Sequence, residues 1–97
     1  MAFTELLAVG TGAANSADVT VAAGSNVVFA LKGTNGVIPL GAMVTVTYKA
    51  DDGRYYPVQP DGKLHEGRRS MVLDAKGVYR VSRAPSSPAV GVTHEVS

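Results

Sequence analysis

The chain contains no cysteine and no tryptophan, only two histidines, and few charges. Without cysteine there can be no disulfide framework, thiolate zinc site or cysteine nucleophile, so the fold must rest on packing and backbone hydrogen bonds. Charged residues make up 18% of the 97, against about 25% in an average soluble domain. Nine Lys and Arg face eight Asp and Glu, for a formal net charge of +1. That balance generates no long-range field to steer the chain to nucleic acid or an anionic membrane, and neither is an expected partner. No apolar run approaches the ~18 residues that a membrane helix needs. Met1 to Ala8 carry no positive segment, and Glu5 breaks their apolar run, so they do not read as a secretory signal. The expectation is a protein made in a cytoplasm and not exported by a recognisable route.

Catalytic groups are equally sparse. An enzyme holds a nucleophile, acid–base groups or a metal in register. His65 sits in the loop-like Lys63-Leu64-His65-Glu66-Gly67, and His94 lies on the apolar face of the last strand-like run near its fraying end. No HxH or HExxH spacing brings two imidazoles to one zinc. Asp51-Asp52-Gly53 offers carboxylates, but Arg54 and Tyr55 follow where a calcium loop continues with oxygen ligands. Gly10-Thr11-Gly12 lacks the third glycine or the Lys-Ser/Thr of a phosphate loop, and no serine stands in a G-x-S-x-G setting. The expectation is a non-enzymatic protein with no catalytic residues, no metal and no cofactor.

What the chain does have is a period of two. Val19 and Val21 alternate with Asp18 and Thr20; Val27, Phe29 and Leu31 with Val28, Ala30 and Lys32; Val44, Val46 and Tyr48 with Thr45, Thr47 and Lys49. Alternation rich in β-branched and aromatic residues marks strands with one face in a core. Arg54 to Val58 reads as a short edge strand because Pro57 cannot donate to a ladder. Arg69 to Leu73, Val78 to Arg83 and Ala89 to Val96 complete the set, with Val90, Val92, His94 and Val96 on one face. Turn formers separate the runs at Ala23-Gly24-Ser25, Asp51-Asp52-Gly53, Pro60-Asp61-Gly62, Glu66-Gly67 and Lys76-Gly77. Asp52-Gly53 is the strongest hairpin signal. The predicted fold is all-β, an antiparallel sandwich or small barrel of about seven to eight short strands in one domain over residues 18–97. Residues 1–17 form a first strand or arm: Phe3 to Val9 leans to strand, and Gly10 to Ser16 has no core-forming pattern.

Two features raise the question of contact surfaces. The 45% apolar content with so little charge suits a tight globule of small side chains, or a chain covered in part by copies of itself or a larger body. The Gly33-to-Gly41 loop carries Val37, Ile38 and Leu40 around Pro39, and either caps one end of the core or makes an outside contact. Among the four tyrosines, adjacent Tyr55 and Tyr56 point to opposite faces of a strand. An exposed member is an interface anchor, or else a cross-strand partner of Tyr48. The nearest thing to a basic cluster is Arg68-Arg69, later joined by Arg80 and Arg83, and the adjacent pair at a strand entrance reads as solvated edge residues.

Leu73-Asp74-Ala75-Lys76-Gly77-Val78-Tyr79-Arg80-Val81 resembles the start of a late strand in immunoglobulin-like and fibronectin-like sandwiches. There the tyrosine bonds backbone a few residues upstream, so the resemblance implies a structural role for Tyr79. Val9 to Ser25, a small-residue arm leading into a T-V-x-x-G strand, is similar to the start of small virion proteins of tailed bacteriophages. That likeness implies a virion structural protein, most simply a capsid decoration protein that binds the major capsid protein or other virion proteins, with homo-oligomers open. The contact residues expected on this basis are Phe3, Leu6, Ile38, Leu40 and Tyr56. The alternative is an immunoglobulin-like tail or fibre module that recognises a host-surface glycan or protein.

Overall fold

Wherever the sequence alternates, the backbone is strand. The computed structural model describes residues 3–59 and 61–97, and Pro60 of the expected Pro60-Asp61-Gly62 turn lies outside the described residues. Ten strands follow one another: β1 Thr4–Gly10, β2 Ala14–Asn15, β3 Val19–Val21, β4 Val27–Lys32, β5 Val44–Lys49, β6 Tyr55–Pro57, β7 Lys63–Leu64, β8 Ser70–Leu73, β9 Gly77–Arg83 and β10 Val90–Val96. No helix of the described residues is long and apolar enough to cross a membrane.

The strands form two antiparallel sheets, one in the order β1-β10-β4-β8 and the other with β9 and β5 at its centre. In the second sheet β2 and β3 share the outer side of β9, and β6 and β7 share the outer side of β5. The inward residues of both sheets make one core. Val27, Phe29, Val90 and Val92 from the first meet Val44, Val46 and Val81 from the second, with no side chain among them more than 2% exposed. The arrangement is a two-layer sandwich, with apolar residues inward and mixed residues outward along each strand.

The seven longer runs anticipated from alternation are all strands, and two-residue β2 and β7 are additions. Neither is long enough to show a period. The hairpin at Asp52-Gly53 forms as expected: Lys49 pairs with Tyr55, the Gly53 amide donates to the Ala50 carbonyl, and Gly53 has φ +81°. Such a φ is reached without steric cost by glycine.

The N-terminal stretch is built into the sandwich. Thr4 to Gly10 pair with His94 to Val90, in a register shifted twice, so β1 is an edge strand of the first sheet. Ala14 and Asn15 pair with Arg83 and Ser82 in the other sheet, so Thr11 to Ala13 cross from one layer to the other. At Ser16 the hydroxyl accepts from the Val81 amide at 3.0 Å, and its own amide donates to the Val81 carbonyl at 2.9 Å.

Candidate functional site

The sandwich has two ends, and each presents a groove. At one end the β4–β5 loop, residues 33–43, lies beside the β9–β10 connection. A tight turn at Asn35-Gly36, both at positive φ, bridges Thr34 to Val37 and folds the loop back. The fold-back divides the apolar residues of the loop. Ile38 is buried with the core, while Val37 is 64% and Leu40 81% exposed. Thr34, Val37, Pro39, Pro88 and Ala89 line a shallow apolar groove of about 340 Å³. Gly41 and Ala42 then lead into β5, with the Ala42 amide donating to the Pro39 carbonyl.

Of the five expected contact residues, Leu40 is the most exposed and stands next to this groove. Ile38 is buried with the core, on the loop that the turn at Asn35-Gly36 folds back. Leu6 is half-buried and packs against the core from β1. Phe3, 53% exposed, precedes β1 on the first sheet, and Tyr56, 41% exposed, stands on edge strand β6 of the second. The structure therefore does not gather the five into one patch. It leaves Val37 and Leu40 together at one end.

The opposite end is aromatic. Tyr48 and Tyr56 face each other across β5 and β6 with ring centroids 6.0 Å apart, and both remain about two-fifths exposed. The Tyr56 hydroxyl donates to Asp52 Oδ2 at 2.7 Å, while the Arg54 amide donates to Oδ1 at 2.8 Å. The tyrosine bond first, and the amide second, hold the Asp52 carboxyl below its ordinary range; the same bond pushes the Tyr56 phenol up. Beside this pair a groove of about 440 Å³ runs between the end of β5 and the β8–β9 turn. Tyr79 forms its inner wall, with its ring edge-on to Phe29 and its hydroxyl bonded to the Ala75 carbonyl at 2.8 Å. That bond is the corner-closing contact that the Leu73-to-Val81 pattern implied, and burial pushes the Tyr79 phenol up.

Arg80 and Arg83 are both built into the fold. Arg83 is 8% exposed, and its guanidinium donates to four carbonyls: Gly12 at 2.7 Å, Val90 at 2.9 Å, Ala8 at 3.1 Å and Thr11 at 3.4 Å. It thereby fastens the crossing between the sheets. Arg80 lies 3.6 Å from the Tyr55 ring centroid, and the Tyr55 hydroxyl donates to Asp18 Oδ1 at 2.7 Å. That bond raises the Tyr55 phenol. The one sequence signal for burial was position: Arg83 continues the inward register of Tyr79 and Val81. Among the described residues no three His, Asp or Glu side chains come together as a metal-binding group.

The fold and its two grooved ends define a small antiparallel β-sandwich. No protein-family model matches the chain, and no curated protein matches its sequence. Among solved structures, the crystal structure of the SPBc2 prophage-derived protein YomS has a similar fold. The TM-score is 0.73 over 98% of this chain and 89% of that one, at 8% sequence identity. At that identity the likeness is one of fold.

Proposed function

We propose that this chain is a non-enzymatic structural protein of a bacteriophage particle, a capsid decoration protein that docks through its Leu40 end. The observation that carries the docking is the split of the β4–β5 loop: Ile38 anchors it in the core while Val37 and Leu40 project beside an apolar groove. A loop held in this way presents apolar side chains at little further cost in conformational entropy. Exposed apolar residues clustered on a small domain mark contact sites. The setting is supported by the small-residue start at Val9 to Ser25 and by a fold shared with a prophage-derived protein. The partner in this reading is the major capsid protein or another virion protein, and many copies on a lattice compensate for a modest contact each.

The test is the copy number of the protein in gradient-purified particles, by quantitative mass spectrometry against the major capsid protein. A fixed ratio at hundreds of copies supports decoration. A handful overturns it in favour of the tail or a vertex, and absence overturns the virion setting altogether. Leu40→Asp, on a side chain that is 81% exposed, is expected to leave the fold intact and to lower particle binding at least about tenfold.

A further inference from the structure

The groove at the tyrosine end has a composition that the docking end lacks. Its walls are Tyr48, Tyr79, Val58 and Leu73, and its rim carries Lys49, Lys76 and Gln59. From these we infer that it is a binding site for an acidic saccharide, a sugar that bears a carboxylate.

Three observations lead there. The volume, about 440 Å³, falls in the range of roughly 300–1,000 Å³ typical of small-ligand sites, enough for one or two sugar rings. An exposed aromatic face is the surface on which the apolar face of a pyranose packs, and Tyr48 offers one at 40% exposure, steadied from behind by the Tyr56 ring. Tyr56 is in turn fixed by its bond to Asp52, so the platform is ordered before any ligand arrives. The third observation is charge. Two lysines line the groove and no carboxylate does. Asp52 is engaged by Tyr56 and the Arg54 amide, and Asp74, which acts on Tyr79 through space, stays outside the lining. Among the described residues the Tyr48 hydroxyl, the Gln59 amide and the Lys76 ammonium have no protein hydrogen-bond partner, so all three are available to a ligand. An ammonium on a flexible stem is a point-charge partner for a carboxylate. A neutral sugar would leave Lys76 unanswered, whereas the Lys49 ammonium already lies 5.9 Å from the Tyr55 ring centroid.

This inference does not rest on docking by the Leu40 end. β5 starts beside that end and finishes at the groove, so one can be occupied while the other is open.

The experiment is an amide NMR titration of the 97-residue chain with trigalacturonate, 3′-sialyllactose and neutral lactose. The expected result is saturable shifts at Tyr48, Gln59, Lys76 and Gly77 with an acidic sugar and weaker or no shifts with lactose. Tyr48→Ala is expected to weaken that binding at least about fivefold, the scale on which loss of an aromatic anchor registers. Lys76→Glu, in an exposed turn, is expected to abolish it while leaving the spectrum elsewhere and the melting temperature unchanged. Equal response to lactose overturns the acidic class. Shifts that map to another surface, or none at all at about 20 mM, well beyond the millimolar range of weak binding, overturn the site. Broadening that depends on protein concentration instead of sugar assigns the groove to a second copy of the chain and overturns it too.

Discussion

At the scale of single residues, Arg83 is a buried charge held by backbone alone. Its guanidinium is buried and satisfies the carbonyls of Ala8, Gly12 and Val90 with no carboxylate nearby among its hydrogen-bond partners. Arg83→Ala removes the donor from the buried Val90 carbonyl and the less buried Ala8 and Gly12 carbonyls, for which the expected loss is about 1–3 kcal/mol in urea unfolding. Amide exchange should rise first at residues 8–12. Tyr79→Phe deletes a single bond to Ala75 and keeps the ring against Phe29, so about 1 kcal/mol is expected. In a domain of this size that lowers the melting temperature by roughly 4–8 °C. Tyr56 and Asp52 make a pH-dependent pair. The folded-state pKa of Asp52 is depressed, first by the Tyr56 hydroxyl, so its contribution to stability is present above the ordinary carboxylate value and is lost as pH falls through the folded value. Tyr56→Phe is expected to move the Asp52 carboxyl back up toward that ordinary value, read by carbon-detected NMR titration, and to flatten the acid limb of the stability curve.

At the scale of elements, the packing of β1 on β10 leaves no room for a side chain at Gly91. At Gly91 a Cβ would lie 2.6 Å from the Leu7 carbonyl oxygen and 2.8 Å from the Val9 amide nitrogen, all of it backbone that cannot swing aside. This close approach coincides with the second register shift in β1, between Leu7 and Gly10. Gly91→Ala is therefore expected to push β1 outward. The measurable result is loss of amide protection in residues 4–10 ahead of the rest of the sheet. The same elements show how far the sequence could be read. The long strands were legible because β-branched alternation over four or more residues sets both a period and a face, as in Val27, Phe29 and Leu31 or Val44 and Val46. The Asp52-Gly53 hairpin was legible from turn chemistry alone. β2 and β7 were not, since two residues carry no period, and their pairing is set by what lies across from them. The burial of Arg83 and Ile38 was not legible from residue type alone. It follows from the inward register of β9 and from the fold-back of the loop at Asn35-Gly36, both consequences of tertiary geometry.

At the scale of the molecule, the topology ties the two ends of the chain together. β10 is a central strand, paired with β1 on one side over Thr4↔His94 to Gly10↔Val90 and with β4 on the other over six consecutive positions. Sheet closure therefore waits for the last segment, and its contacts span almost the whole sequence. Such non-local pairing places folding in the millisecond-to-second range typical of sandwiches of similar size. It also makes the final strand indispensable. A chain that stops at Ala89 loses Val90 and Val92 from the core, leaves the ladder edge of β4 open, and frees the Val90 carbonyl's partner Arg83 to compete for water. Burying two valines accounts for about 3–6 kcal/mol, and the lost ladder adds to it, against a typical total stability of about 5–15 kcal/mol. The truncated chain is expected to show collapsed amide dispersion and no cooperative melt. The Leu40 loop and the tyrosine groove both sit on connections that this sheet positions, β4 to β5 and β8 to β9. Both should lose their ordered resonances in the truncated chain at once, and survival of either would mean that the end in question folds without the sandwich.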